Sequence, residues 1–216
     1  MDVFRDFNNC YDPIDLSGTN NPKPWGNNPF NDITIHDELK AIEYVYCNGF
    51  MIGTSASTFS PNSTVSRAQT AVILYTMAGN PDVSGLTIPF TDVFSNDYYY
   101  NAVRWAYNNG VMSGISGTLF SPNSSITREM AAVVFKKLAQ YLNYSFSNLR
   151  TMYAFVDYSS ISSWARTAVE EMYRACIFDY DYEDEFGNPL FVPSDVLTRK
   201  DIAVIIRRFD TIHLFG

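Results

Sequence analysis

Arg67, Arg128 and Arg199 stand in one repeated frame, and a guanidinium at that place is suited to holding an anion. The frames read Phe59-Ser60-Pro61 to Arg67, Phe120-Ser121-Pro122 to Arg128, and Phe191-Val192-Pro193 to Arg199. The arginines are spaced by 61 residues (67 to 128) and by 71 (128 to 199). Each directly follows a hydroxyl residue, Ser66, Thr127 or Thr198, which is a good helix N-cap. An arginine at the first helical position opposes the helix dipole by up to about 1 kcal/mol, which suggests an anionic partner. A helix start offers unpaired backbone N–H groups, and the planar fork of arginine matches a carboxylate bidentately. Two partners are open. One is an external ligand; the other is the aspartate of each repeat's aromatic-x-Asp element, Asp32, Asp92 or Asp157. For the aspartates themselves, turn formation or capping is the default role.

Positioning these groups requires two helices per repeat. The first follows Phe30-Asn31-Asp32, Phe90-Thr91-Asp92 or Phe155-Val156-Asp157, and in repeat two it is expected over about Tyr98 to Asn109. Its apolar face is Ala41, Ile42 and Val45, then Ala102, Val103 and Ala106, then Ala168, Val169 and Met172. Gly49 and Gly110 fall where a helix end favours a left-handed residue, with Cys176 in repeat three. The second helix begins just after the N-cap hydroxyl and is apolar over most of its circumference, as in Ala131-Ala132-Val133-Val134-Phe135. Such helices are buried on several sides, so three of them are expected to share an axis. The expected fold class is therefore all-α, three helix-loop-helix repeats around a central three-helix bundle. The units are 1–28 (an extended segment or linker, pinned by Phe4, Phe7, Tyr11 and Trp25), 29–80, 89–143 and 154–210, the last three forming one domain. Repeat three carries an acidic insert, Asp181 to Glu185, read as a solvated loop.

Composition narrows the function. The chain has 216 residues, a net charge of −8 and 46% hydrophobic content, so it can bury a core but lacks a general surface for nucleic acid or anionic membrane. No apolar run reaches the ~20 residues that span a bilayer, and the start does not read as a signal peptide; for an exported protein the signal would have been removed or the chain would be a fragment. Cys10, Cys47 and Cys176 are odd in number and not repeat-equivalent, so they read as small apolar residues rather than a disulfide or metal framework. His36 and His213 are the only histidines and no metal-ligand spacing occurs, so no cofactor or metal is expected. Glu170 and Glu171 are adjacent on a helix and point apart, which excludes them as a glycosidase pair, and no catalytic triad can be assembled.

Taken together, the chain resembles three tandem S-layer homology modules over about residues 29 to 210. Repeat two carries the likeness most fully, in Phe90-Thr91-Asp92-Val93, Gly110-Val111-Met112-Ser113-Gly114, Gly117-Thr118-Leu119-Phe120-Ser121-Pro122 and Ile126-Thr127-Arg128-Glu129. The resemblance implies a pseudo-three-fold helical spindle, non-catalytic, located outside the cell in the wall or surface layer. It implies an anionic secondary wall polysaccharide, with pyruvylated ends, as partner in grooves between modules. A surface-lattice or protein-interaction scaffold is the alternative. Carried over by motif, Arg67, Arg128 and Arg199 meet the ketal carboxylate. Sugar faces would stack on Tyr98, Trp164 or Trp105, and Gly53 and Gly114 would let backbone approach the ligand. The aromatic position of the first helix is Trp164 in repeat three, Tyr98 in repeat two and Asp37 in repeat one; repeat three has Cys176 and Tyr180 in place of both glycines.

Overall fold

The computed structural model describes residues 28–33, 36–146, 150–152, 155–180 and 182–212. The expected N-terminal segment and its anchoring aromatics thus lie outside the described residues.

Three helices, the frame helices, begin at the three frame arginines: α2 (Arg67–Met77), α4 (Arg128–Leu142) and α6 (Arg199–Ile212). Three other helices precede them in their repeats: α1 (His36–Cys47), α3 (Tyr100–Asn108) and α5 (Arg166–Arg174). The frame helices start where their caps dictate. Ser66 Oγ accepts from Gln69 N at 3.2 Å while the Gln69 side chain accepts from Ser66 N at 2.9 Å, a reciprocal capping box. Thr127 caps Met130 N, and Thr198 N donates to the Asp201 carboxylate at 2.8 Å. The other three helices end in the same left-handed turn, at Gly49 (φ 72°), Gly110 (φ 69°) and Cys176 (φ 58°). Repeat three therefore keeps the turn without its glycine, accepting the Cβ strain.

Each frame helix packs chiefly on the first helix of the next repeat: α2 on α3, α4 on α5, and α6 back on α1. The last pairing closes the chain on itself, and Tyr44 Oη donates to Asp210 Oδ2 across it at 2.7 Å. The expected mutual packing of α2, α4 and α6 is thus secondary to these pairings.

The starts of the frame helices do meet, through backbone. Val65 N donates to Leu197 O, Leu197 N to Ile126 O, and Ile126 N to Val65 O, at 2.9–3.0 Å. These three bonds form a closed circuit among three apolar residues that are 1%, 1% and 0% exposed. Because each bond is protected from water and each partner comes from a different repeat, no repeat satisfies its own central strand-like residue.

The fold is mostly helical, with one departure from the all-α expectation. The acidic insert is not a simple loop: β1 (Tyr182–Glu183) and β2 (Pro189–Leu190) pair antiparallel, with Tyr182 opposite Leu190. Asp184 fixes its turn by accepting from Phe186 N and Asn188 N at 2.9 and 2.8 Å. A second correction concerns the cysteines: Cys176 is disulfide-bonded, whereas Cys47 is not cross-linked. An odd count forbids a complete framework but permits one bridge, and the partner of Cys176 lies outside the described residues.

Candidate functional site

Each frame arginine reaches across a seam into the following repeat. Arg67 donates through Nε to Phe120 O at 2.9 Å and through Nη2 to Ser113 O at 2.6 Å. Arg128 does the same to Phe191 O at 2.8 Å and Asp179 O at 2.5 Å. Arg199 completes the round with Phe59 O at 2.8 Å and Ile52 O at 2.5 Å. The guanidinium carbons lie 4.7, 4.8 and 4.4 Å from the ring centroids of Phe120, Phe191 and Phe59, within cation–π range. Arg67 and Arg128 are only 7% and 4% exposed. Burial depresses the pKa of Arg67 and of Arg199, with the charges of Asp92 and Asp32 opposing the shift.

Two expectations change here. The helix-start amides are not available to a ligand: Arg67 N and Ala68 N donate to Ser124 O and Pro122 O, Arg128 N and Glu129 N to Asp195 O and Pro193 O, and Arg199 N and Lys200 N to Ser63 O and Pro61 O. The neighbouring repeat already occupies them, so any anion is met by side chains. Nor does the frame arginine pair directly with the aspartate. Asp32 accepts from Phe59 N and Ser60 N, Asp92 from Phe120 N and Ser121 N, and Asp157 from Phe191 N and Val192 N, all at 2.7–2.9 Å. Each carboxylate thereby clamps a residue of positive φ: Ser60 at 58°, Ser121 at 59°, Val192 at 52°. For Asp32 burial alone would raise the pKa, but the two amide bonds and Arg199 hold it below the ordinary aspartate value.

Gly53 and Gly114 answer a packing requirement inside their own repeats. A Cβ on Gly53 would sit 2.5 Å from the Phe30 ring and from Ser55 O; on Gly114 it would meet the Phe90 ring and Ser116 O at 2.5 Å. They make room for the repeat's own aromatic ring and for the loop carbonyls beside it. Trp105 is 1% exposed between the rings of Tyr75 and Tyr141, at 5.6 and 5.2 Å, and is a core residue rather than a sugar platform. Tyr98 and Trp164 are 71% and 57% exposed and present open ring surface.

The seam between repeats two and three opens into a cleft of about 170 Å³ lined by Arg128, Asp179, Tyr180, Asp201 and Arg208, floored by Ile177, Phe178, Val204 and Ile205. Asp201, Val204, Ile205 and Arg208 form one face of α6 at i, i+3, i+4, i+7 spacing. Beside the cleft, Arg150 donates to Asp179 Oδ1 at 2.9 Å and to Tyr173 O and Phe178 O, its guanidinium stacked on the Tyr173 ring. Arg208 Nη2 lies 3.9 Å from Asp179 Oδ2. Arg150 and Arg208 fall outside the repeated frame, so repeat arithmetic passed over them. The available signal was Asp179 itself, an acid where the other repeats have Ile52 and Ser113. No cluster of His, Cys, Asp and Glu among the described residues is arranged to hold a metal, and no helix there is long and apolar enough to cross a membrane.

A helical chain in which an arginine reaches across each seam between repeats has the form of a tandem-repeat module. Residues 29–71 and 89–132 match the family model of the S-layer homology domain, and the chain carries two domains of that family. Relatives include an amylopullulanase of Thermoanaerobacterium thermosulfurigenes, 32% identical over 82% of this chain but 9% of its own length. An endoglucanase of Bacillus sp. (strain KSM-635) is 33% identical over 82% of this chain and 18% of its length. A surface-layer 125 kDa protein of Lysinibacillus sphaericus is 28% identical over 84% and 14% respectively. The chain thus spans less than a fifth of the length of these relatives.

Proposed function

We propose that this chain is a wall-anchoring module that binds an acidic cell-wall polysaccharide at the seams between its repeats, and that repeat three is a third module completing a pseudo-three-fold spindle. Two of its relatives are named for different hydrolytic activities and one for a surface layer, yet all share this stretch. What they have in common is better served by attachment than by catalysis. A disulfide at Cys176 suits an oxidising, extracellular setting. The domains are taken as 29–80, 89–143 and 154–210, joined in one body by the backbone circuit.

The observation that carries the reading is the cleft at Arg128, where a seam guanidinium borders a cavity lined by further charge. The acid it meets is the pyruvate ketal that the family resemblance implies, with Trp164 and Tyr98 supplying stacking surface for sugar rings. Arg67 and Arg199 are the corresponding positions at the other seams. Their deep engagement with carbonyls favours a second reading, a protein-binding or lattice scaffold in which these arginines are purely structural.

Sedimentation with purified wall, before and after removal of its polysaccharide, separates the two. Anchoring predicts that the chain pellets only with polysaccharide-bearing wall and that Arg128→Gln weakens pelleting at least about tenfold. A variant that keeps its fold and pellets like wild type overturns the role of Arg128. Equal pelleting with stripped wall overturns polysaccharide binding and favours the scaffold.

A further inference from the structure

We infer that the end of α3 in repeat two is a docking socket for an arginine side chain presented by another protein, built on the open ring of Tyr107. It does not rest on glycan binding, and no frame arginine supplies any of its contacts.

Repeat three shows what such a socket accepts, because the chain fills it with a residue of its own. Arg150, ahead of repeat three, places its guanidinium carbon 3.4 Å from the centroid of the Tyr173 ring. Its Nε donates to Tyr173 O at 2.7 Å, and its Nη2 donates to Phe178 O. One cation thus meets a ring face and two carbonyls at the end of α5, where the helix dipole is negative. Beneath it the Tyr173 ring is fully buried.

Repeat two has the same framework without that occupant. Tyr107 packs edge-on against Phe90 at 5.0 Å and 74°, as Tyr173 does against Phe155 at 4.9 Å and 78°. The turn after the helix matches as well: Val111 N and Met112 N both donate to Ala106 O, as Ile177 N and Phe178 N do to Met172 O. Tyr107 O and Met112 O therefore stand at the repeat positions of the two carbonyls that hold Arg150. Yet Tyr107 is 38% exposed. The chain ahead of the repeat explains the difference. Arg150 lies five residues before Phe155, whereas Gly85 lies five before Phe90. A Cβ built on Gly85 would meet nothing within 4 Å. Arg104, the one cation of α3, is turned instead to Leu86 O and the Tyr100 ring. In repeat one the corresponding rings, Tyr46 on Phe30 at 5.1 Å and 80°, make further contacts, so the socket is assigned to repeat two alone.

The chemistry selects the occupant. A planar fork covers a ring while donating to two carbonyls, which the point charge of lysine does not do. A guanidinium of this kind is a protein side chain, and a chain of net charge −8 draws basic partners. Ser113 stands in place of Asp179, whose carboxylate takes a third donor of Arg150, so the incoming arginine keeps one donor for solvent.

The test titrates the whole chain with acetyl-Gly-Arg-Gly-amide, and with the same peptide carrying citrulline, a neutral isostere of arginine, or lysine. The Tyr107 ring and the Gly110 and Met112 amides are followed by NMR. The arginine peptide is expected to give saturable shifts at all three, with the citrulline and lysine peptides binding at least about fivefold more weakly. Tyr107→Phe keeps the ring and is expected to bind within about twofold of wild type, whereas Tyr107→Leu weakens binding about fivefold. Absence of saturable shifts, equal binding of the citrulline or lysine peptide, or undiminished binding by a folded Tyr107→Leu chain overturns the inference. The peptide comparison uses the unaltered chain, so it decides the matter even where a variant fails to fold.

Discussion

Val192 sits at φ 52°, a region that a β-branched residue enters at a cost of about 1–2 kcal/mol. Its counterparts Ser60 and Ser121 adopt the same angle with smaller side chains, so the turn is required by the frame and not chosen by the valine. What enforces it is the Asp157 carboxylate, one oxygen on Phe191 N and the other on Val192 N, together with the buried Phe191 ring beneath Arg128. Glycine fits this angle without a Cβ penalty but adds freedom to the unfolded chain, and the two terms partly offset. Val192→Gly is therefore expected to stabilise the protein by about 1 kcal/mol, read as a higher urea midpoint with unchanged slope. A lower midpoint would show that Val192 contributes packing larger than its strain.

Within and between elements, the frame spacing placed the starts of α2, α4 and α6 at the residues after Ser66, Thr127 and Thr198, because capping chemistry is local and written in side chains. The expected helix of repeat two, about Tyr98 to Asn109, is observed at Tyr100–Asn108, a fraying difference of the usual size. Less legible was everything carried by main chain across seams. The carbonyls of Ser124 and Pro122 leave no side-chain signal that they will take the first amides of α2. The demand that the Phe30 ring places on Gly53 was likewise hidden, because the two are distant in sequence. The tie from α4 to α5 was hidden for the same reason: Glu129 accepts from Ser162 N and Ser162 Oγ, both at 2.9 Å. Ser162 begins the turn that leads into α5, its carbonyl accepting from Ala165 N and Arg166 N. One helix thus caps the approach to another, and a charged acceptor of two hydrogen bonds contributes about 1.5–3 kcal/mol. Glu129→Gln is expected to speed amide exchange at Ser162 and Ala165 well before global unfolding, and to shift the fluorescence of nearby Trp164. Unchanged exchange at Ser162 would remove Glu129 from this role.

At the scale of the molecule, the circuit Val65–Leu197–Ile126 ties each repeat to the other two. Repeat one donates to repeat three, repeat three to repeat two, and repeat two to repeat one, so every repeat holds a buried donor whose acceptor lies elsewhere. Arg199 adds a second closure onto Phe59 and Ile52, and α6 on α1 a third. Removing repeat three would leave Val65 N without its acceptor, the Phe59 and Ile52 carbonyls without Arg199, and the apolar face of α1 without α6. Each hydrogen bond exchanged for water costs about 0.5–1.5 kcal/mol net, and an uncovered apolar helix face adds more. A linear array of self-sufficient repeats would tolerate the loss, whereas a closed one would not. A chain ending after residue 146 is therefore expected to lose cooperative unfolding altogether, while the whole chain melts in one transition in which the amides of Val65, Ile126 and Leu197 exchange only by global opening. A truncated chain that still melts sharply, with Val65 N protected, would show that repeats one and two form a self-sufficient pair and that closure is not what holds the fold.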